Sequence, residues 1–403
     1  MSAGRSISVL YAIGTKLGGS SIGAHAHESV RGLLRHGQLR RVLCGAYDLR
    51  EIPPAFVRTI GLPDRVLRKL AVYDRTRRIA HLQKVLFDHW ATARLEVADV
   101  YFVWYNCALR SIPRAKAMGM VTVLQWGSFH PQHQRRILGE EHARWGIPYV
   151  RTDAELQRAL REAELADYVI CETDAAFASC RTEGMPPEKL LTLPNGVDLQ
   201  RFRPVETPST HAFRALYVGQ ISLRKGVPYL LEAWRTLAWH DAELWLAGNV
   251  DAEIRPLLAR YAGLPGLRFV PYTANPVALY QAADVFVFPS LVEGGAKVGF
   301  EALACGLPVV TTHTAGSVAR DGVEGLVVPS RDAAALARAM KRLRADGVLR
   351  QQMGLAARAR AALFSWERHG DRLADALQGA VDRRRGHELL LEDGAWRRRA
   401  SSS

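Results

Sequence analysis

Short apolar runs alternate with segments of helical periodicity along almost the whole chain, and this alternation limits the possible folds more than any other feature. In the first half it predicts strands at residues 7–13, 100–104, 121–126, 168–171 and 190–193. In the second half it predicts strands at residues 215–218, 244–247, 267–270, 285–288 and 308–311. Strands separated by helices form βαβ units, and these units build parallel sheets.

The chain is long enough for two such sheets. Its 403 residues exceed what one hydrophobic core usually holds, and residues 203–210 form a polar, proline-containing segment typical of a linker. The expected fold class is α/β, with two doubly wound Rossmann-like domains at 1–203 and 204–365. Ligands of such sheets bind beyond the carboxyl ends of the strands, so we expect the site in the interdomain cleft. A long helix is expected at 366–382, followed by a basic, poorly ordered tail at 383–403.

The formal net charge of +14 favours an anionic partner, although an arginine-rich genome would produce the same excess. We expect no nucleic-acid partner, because zinc-finger spacing and RNA-binding aromatic motifs are absent from the sequence. The five cysteines lack the spacing of a metal site or a disulfide framework, which indicates reduced thiols in a cytoplasmic protein.

Segment 56–97 carries nine Lys or Arg residues and four acidic residues among apolar ones. This pattern fits a basic amphipathic surface that binds anionic lipid at the inner face of the cell membrane. It fits equally an ordinary exposed face above a buried apolar stripe. The sequence leaves both interpretations open.

Two segments of the second half contain candidate donor-binding residues. After a predicted strand, Gly219 permits a tight turn, and Arg224 and Lys225 follow as two cations suited to a diphosphate, although both also fit an exposed loop. After another strand, Glu293 lies on a loop and Glu301 on the following helix. The unpaired N–H groups at that helix start would bind phosphate, with the residues Gly295, Ala296, Lys297 and Val298 around it.

Taken singly, Glu293 could be an ordinary exposed acid on a loop. Glu301 could be an acid near a helix start, where the helix dipole favours a negative charge. The whole arrangement instead favours a nucleotide-sugar site. The ordered set Pro289-Ser290, Glu293-Gly294, Glu301-Ala302, Ala304–Pro308 and Asp321–Gly325 resembles the signature of family 4 of the retaining glycosyltransferases, which have the GT-B fold. Phe364-Ser365-Trp366 resembles the element where that family's C-terminal helix crosses back to the first domain.

The resemblance covers nearly the whole chain and implies sugar transfer from a nucleotide diphosphate sugar with retained configuration. Because the sequence offers no convincing nucleophile, we expect front-face substitution. It implies that Glu301 binds the ribose, that Glu293 binds the donor sugar and that Lys225 stabilises the leaving diphosphate. The expected acceptor is a glycan or lipid-linked glycan, as in polysaccharide biosynthesis, bound by the first domain. Two departures from the family pattern are Gln220, where Arg is usual, and the loop Glu293–Ala296, which lacks the usual Phe. Arg224 would supply the missing charge.

In the first domain, Gly18 and Gly19 would let the backbone approach the donor phosphate or the acceptor, unless they form only a flexible turn. His130 belongs to a Gly-Ser-x-His subgroup pattern and would donate a hydrogen bond to the donor sugar, although a lone His is more often structural. We expect no metal and no cofactor, because Asp-x-Asp is absent from the predicted donor loops. A non-catalytic sugar-nucleotide-binding or scaffolding protein on this fold, and a nucleotide-sugar epimerase, are the alternatives.

Overall fold

The structure is a computed structural model that describes residues 6–19, 21–49, 51–71, 74, 78–149, 153–205, 212–386, 389–392 and 395–398. Seven strands form a first parallel sheet: β1 (Val9–Lys16), β2 (Leu39–Ala46), β3 (Val57–Thr59), β4 (Val100–Trp104), β5 (Val121–Gln125), β6 (Tyr168–Cys171) and β7 (Leu190–Thr192). Six strands form a second: β8 (Phe213–Val218), β9 (Ala242–Ala247), β10 (Leu267–Val270), β11 (Val285–Phe288), β12 (Val309–Thr312) and β13 (Gly325–Val328).

Helices connect the strands in both halves. The first half contains α1 (Ser21–Arg35), α2 (Leu62–Ala71), α3 (Arg78–Thr92), α4 (Ser111–Ala117), α5 (Pro131–Trp145), α6 (Asp153–Leu165) and α7 (Asp174–Thr182). The second half contains α8 (Val227–Leu237), α9 (Arg255–Leu258), α10 (Val277–Gln281), α11 (Lys297–Ala304), α12 (Ala333–Ala345), α13 (Gly347–Ala361) and α14 (Trp366–Arg384). None of the helices in the described ranges is both long and apolar enough to cross a membrane.

Both sheets are doubly wound. The strand orders are β3-β2-β1-β4-β5-β6-β7 and β10-β9-β8-β11-β12-β13, with parallel pairing throughout. In each sheet the chain starts in the middle and extends to both sides, so right-handed crossovers place helices on both faces. Strands β4, β5 and β11 are buried along their whole length, as expected for a sheet covered on both faces. The predicted α/β fold is confirmed.

The topological switch points lie between β1 and β4 in the first sheet and between β8 and β11 in the second. At each switch point, the loops that follow the two neighbouring strands run to opposite faces of the sheet and leave a crevice between them. Gly18 and Gly19 follow β1, the Gly219–Lys225 loop follows β8, and Glu293 lies in the loop after β11. The fold therefore brings the sequence-predicted loops to the crevices where doubly wound proteins bind ligands.

The last long helix returns to the first domain, as the resemblance implied. Helix α14 packs on α1 so closely that a Cβ atom on Gly370 would lie 2.8 Å from Gly32 Cα. Next to that contact, the buried His369 bonds the Pro194 carbonyl at 2.8 Å and the Ser29 hydroxyl at 3.0 Å. Burial lowers the pKa of His369 to about 4, so the ring is neutral at pH 7.

Three strands, β2, β3 and β13, were not predicted. An unpredicted ribbon, β14 (Leu389–Glu392) paired with β15 (Ala395–Arg398), lies within the basic tail. The other tail residues after 386 and linker residues 206–210 lie outside the described residues. The same holds for residues 72–73 and 75–77 of the basic segment.

Candidate functional site

A cavity of about 1020 Å³ lies between the two domains. Its first-domain wall includes His25, Trp104, Trp126, Glu172 and Asn195, and its second-domain wall includes Gln220, Ser222, Arg224, Lys225, Glu293 and Gly295 to Val298. A second cavity of about 550 Å³ adjoins it at the carboxyl ends of β1 and β4. In the described part of the chain, no group of three or more His, Cys, Asp or Glu side chains is placed to hold a metal ion.

The second-domain wall centres on the Glu293 carboxylate. Its Oε1 atom accepts hydrogen bonds from Arg224 Nη1 at 2.6 Å and from the Ser290 hydroxyl at 3.0 Å, and it forms an ion pair with Lys225. Burial by itself would raise the pKa of Glu293, but the Lys225 and Arg224 charges outweigh it and leave the pKa low. Burial lowers the pKa of Lys225 to about 8 despite the attraction of Glu293. At pH 7 the cluster around Glu293 therefore carries two cations, Arg224 and Lys225, and one anion.

Helix α11 begins beside this cluster. Its N-cap residue, Ala296, supplies no side-chain hydrogen bond, so the first-turn N–H groups lack a side-chain cap. The Ala296 N–H, predicted to be unpaired, instead donates to the Gly316 carbonyl at 3.4 Å. Lys297 and Val298 line the cavity with Gly295 and Ala296, so the start of α11 forms part of the cavity wall.

The Gly294–Gly295 pair joins the two domains. The Gly294 carbonyl accepts a hydrogen bond from the Thr173 hydroxyl, and the Gly295 carbonyl accepts one from Asn195 Nδ2, both at 2.7 Å. A Cβ atom on Gly294 would lie 2.5 Å from the Gly127 backbone. A Cβ atom on Gly295 would lie 2.6 Å from Asn195 Nδ2. This loop lacks the family's usual Phe, and its glycines allow the first domain to approach the start of α11.

Glu301 and Gly219 lie near the cavity but are not among its lining residues. Glu301 accepts a hydrogen bond from the Tyr280 hydroxyl at 2.9 Å, and burial raises its pKa. Gly219 has φ 149° and lies so close to Gly248 that a Cβ on Gly248 would meet the Gly219 carbonyl oxygen at 2.0 Å. The neighbouring Gln220 does line the cavity, and its amide donates to Asp251 at 3.0 Å.

The structure places His130 at the N-terminal cap of α5, outside the set of cavity-lining residues. Its Nδ1 accepts the Gln132 N–H at 3.3 Å, which leaves the ring proton on Nε2. The ring contacts Trp126, which does line the cavity, edge-to-face at 5.3 Å. Burial lowers the pKa of His130, so the ring is neutral at pH 7.

Gly18 and Gly19 line the smaller cavity, together with Lys16 and Lys84. Both glycines have positive φ angles, 83° and 81°, which L-residues rarely adopt. Lys16 pairs with Asp48 at 2.7 Å, and Lys84 pairs with Glu155 at 3.4 Å. The loop after β1 thus forms part of the wall of the smaller cavity.

Sequence reasoning missed a polar cluster on the first-domain wall. Glu172 directly follows β6 and is 3% exposed. Its carboxylate accepts hydrogen bonds from the side-chain amides of Gln125 at 3.0 Å and Asn195 at 3.3 Å, and lies 3.4 Å from His25 Nδ1. One signal was available: Glu172 is a carboxylate at the carboxyl end of a predicted strand, where ligands of such sheets bind.

The chain is similar to known glycosyltransferases in sequence. A family model described as glycosyl transferases group 1 matches residues 212–346. The D-inositol 3-phosphate glycosyltransferase of Saccharomonospora viridis is 30% identical over 293 residues, which cover 61% of this chain and 68% of that protein. The protein of the same name from Geodermatophilus obscurus is 31% identical over 286 residues, which cover 59% of this chain and 63% of that protein. The match thus spans less than two thirds of the length of the second relative.

Solved structures share the fold. Sucrose-phosphate synthase from Thermosynechococcus elongatus superposes with a TM-score of 0.69 at 20% identity, covering 94% of this chain and 99% of that one. Anabaena Alr3699/HepE in complex with UDP-glucose superposes with a TM-score of 0.64 at 17% identity, covering 92% of this chain and 99% of that one. At such identities the likeness shows the architecture alone.

Proposed function

The chain belongs to the glycosyl transferases group 1 family, which has the GT-B fold, and on this premise we propose that it transfers a sugar from a nucleoside diphosphate sugar to a hydroxyl acceptor. The observation that carries the proposal is the convergence of Arg224, Lys225 and the start of α11 on one interdomain cavity. Two cations and a helix N-terminus together suit a diphosphate.

The proposed reaction retains the configuration of the donor sugar. As the bond from the anomeric carbon to the phosphate oxygen breaks, the acceptor oxygen bonds the same face of that carbon. The acceptor hydroxyl proton passes to the leaving phosphate oxygen, so no protein nucleophile is required. Lys225 and Arg224 stabilise the growing diphosphate charge, and preorganised charges of this kind are usually the largest contribution to catalysis.

Glu293 holds both cations at the cavity before substrate arrives, since its Oε1 contacts Arg224 and Lys225. On donor binding we propose that it also receives a hydroxyl of the donor sugar, because only Oε1 has hydrogen bonds among the described contacts of its carboxylate. Glu301 is proposed to bind the ribose diol, one helical turn beyond the cavity-lining Val298. His130 would act only after a movement that exposes its Nε2–H to the donor sugar.

The smaller cavity at Gly18 and Gly19 is the proposed acceptor site. A glycan or lipid-linked glycan is the acceptor expected from the family, and the names of the curated relatives favour a phosphorylated cyclitol as a second candidate. Lys84 borders both cavities and Lys16 the smaller one, which suits an acceptor with a phosphate group.

The test begins with thermal-shift measurements on uridine, guanosine and adenosine diphosphate sugars, because a bound ligand raises the apparent stability. The nucleoside diphosphate sugar that stabilises the protein is then incubated with the protein and with glycan or inositol phosphate acceptors. The products are identified by mass spectrometry. We expect transfer with retained anomeric configuration. Conversion of the donor into an epimeric nucleotide sugar without any acceptor would indicate an epimerase, and binding without hydrolysis or transfer would indicate a non-catalytic protein.

We also propose that helix α2 contacts an anionic membrane surface. Leu62, Val66 and Leu70 are spaced four residues apart on α2 and are 73%, 48% and 49% exposed. Arg65 and Lys69 are exposed beside them, so apolar and basic side chains share one face. This arrangement favours the membrane interpretation of segment 56–97 over an ordinary exposed face, which would bury the apolar residues.

Sedimentation with vesicles tests the membrane proposal. The protein should sediment with phosphatidylglycerol vesicles at low salt and stay in solution with phosphatidylcholine vesicles. The triple variant Leu62→Ser, Val66→Ser, Leu70→Ser should lose most of the binding. Leu355→Ser is the matched control, because Leu355 is 70% exposed on α13 of the other domain. Equal sedimentation of both variants would refute the role of α2.

A further inference from the structure

Glu172 is a buried carboxyl group in the cavity wall that the proposed reaction does not use. The contacts found for its carboxylate are the amides of Gln125 and Asn195 and the imidazole of His25. Of the charged groups around it, Glu293 repels and Lys297 attracts its negative charge, while burial penalises that charge most. Its surroundings therefore differ from those of Glu293, which has two cations in direct contact.

The carboxyl group of Glu172 lies close to the start of α11, where the diphosphate is proposed to bind. A Cβ atom on Gly295 would lie 2.9 Å from Glu172 Oε2, so the carboxyl group lies against the backbone two residues before the helix start. Asn195 bonds both the Glu172 carboxylate and the Gly295 carbonyl, which fixes the two relative to each other. A negative charge here would oppose a diphosphate at the same helix start.

We propose that the donor site binds a diphosphate only while Glu172 carries a proton, so that Glu172 couples donor binding to pH. This inference rests on the proposed function for the location of the diphosphate. The protonated carboxyl group presents an O–H donor beside the phosphate oxygens, whereas the ionised group repels them. When the diphosphate binds to protein with ionised Glu172, one proton is taken up from solvent onto the carboxyl group.

The physical basis is the cost of burying an isolated charge. Burial raises the pKa of Glu172 to about 8, with Glu293 adding to the rise and the Gln125 and Asn195 hydrogen bonds opposing it. His25 does not supply a compensating charge, because burial, His369 and Lys297 all lower its pKa. Glu172 is therefore neutral at pH 7 and ionises in the mildly alkaline range.

Isothermal titration calorimetry with uridine, guanosine and adenosine diphosphate tests the proposal in wild type and in Glu172→Gln. The Gln side chain has the shape of the protonated acid but cannot ionise. Gln125 Oε1 is a buried atom without a described partner, so its amide can turn and preserve the contact. Lys225 also titrates near pH 8, and this part of the pH dependence should persist in the variant.

We expect the wild-type Kd to rise between pH 7 and 9 by about tenfold more than the Kd of Glu172→Gln, as linkage requires for a group that must be protonated. Equal pH dependence of the two proteins would overturn the inference and leave the proposed function standing. Absence of binding by all three nucleotides in both proteins would overturn the proposed function and this inference together.

A measurement on wild type alone tests the proposal even if the Glu172→Gln variant fails to fold. Titrations at pH 9 in two buffers with different ionisation heats give the number of protons taken up per bound nucleotide. Lys225 and Glu172 each have a pKa of about 8 and would each take up close to one proton at pH 9, so we expect an uptake close to two. An uptake of one proton or fewer would contradict the proposed role of Glu172.

Discussion

Glu293 and Glu172 are buried carboxyl groups on opposite walls of one cavity, and their pKa values shift in opposite directions. Both lose hydration, which raises the pKa of each. On the second-domain wall, Lys225 and Arg224 contact Glu293 and more than compensate, so its pKa falls. On the first-domain wall, two amides and a neutral imidazole contact Glu172, and its pKa rises to about 8.

The difference shows that burial alone does not decide the charge of an acid; the neighbouring groups do. The second-domain wall is charged and suits a diphosphate and a sugar hydroxyl. The cluster of Glu172, Gln125, Asn195 and His25 on the first-domain wall is uncharged at pH 7 and brings no repulsion to the same space. The cavity therefore sets a charged cluster against a neutral one, and four variants test this arrangement.

Lys225→Ala should have the largest effect, because it removes a cation from the charged wall and leaves Glu293 with one cationic contact fewer. We expect kcat/KM for sugar transfer to fall by about 10²–10³-fold, as when one preorganised charge-stabilising donor is lost. Steady-state kinetics with the identified donor gives the value. Lys341→Ala, at an exposed position of α12, is the control and should be unaffected. Near-normal turnover by Lys225→Ala would contradict the assignment of the charged wall.

The stability of Glu172→Gln and Glu293→Gln should depend on pH in opposite ways. Wild type retains the Glu172 proton up to about pH 8, whereas the unfolded chain releases it near its ordinary pKa. Wild type therefore loses stability relative to Glu172→Gln as pH rises from about 4.5 to 8, by several kcal/mol, since one pKa unit corresponds to about 1.4 kcal/mol.

Glu293 has a lowered pKa, so its stabilising contribution is present above its ordinary pKa and is lost as the pH falls below it. The stability gap between wild type and Glu293→Gln should therefore close in acid. Urea unfolding at pH 4, 6 and 8 measures both gaps. Parallel curves for the three proteins would show that the two walls do not differ in charge.

Gly295→Ala should have the smallest of the three effects. The added methyl group would press on Asn195 Nδ2 and Glu172 Oε2, at 2.6 and 2.9 Å. We expect a loss of about 1 kcal/mol in unfolding free energy, near the lower limit for overpacking, because the Asn195 side chain can shift.

Gly299→Ala on α11 is the matched control, since a Cβ atom there meets nothing within 4 Å outside its own helix backbone. This change should stabilise the protein by up to about 1 kcal/mol through helix propensity. If Gly295→Ala is as stable as Gly299→Ala, the walls do not meet as closely as the structure indicates.

The sequence predicted most of the fold, because apolar runs and helical periodicity are local signals. The strands β4, β6, β10 and β11 were predicted at their observed bounds. Strand β2 was missed because Arg40, Arg41 and Gly45 interrupt its apolar run, and the side chains of the two arginines remain at least partly exposed. Strand β13 was missed because it is short and begins with glycine.

The charged wall was found from sequence because its residues lie in two short segments with recognisable turns and a family signature. The neutral cluster was not, because Glu172, His25, Gln125 and Asn195 come from four separate parts of the chain. Their proximity arises only when α1, β5, β6 and the segment after β7 pack together. The pKa of a buried acid depends on this packing, so no local pattern indicated that Glu172 stays protonated.

The most direct test of the two-wall account is a crystal structure of the protein with the nucleoside diphosphate that stabilises it most. We expect the diphosphate oxygens within about 2.7–3.2 Å of Lys225 Nζ, the Arg224 guanidinium or the first-turn N–H groups of α11. We also expect the Glu172 carboxyl group within hydrogen-bond distance of a phosphate oxygen. A diphosphate bound in the smaller cavity beside Gly18 and Gly19, away from Lys225, would contradict the account.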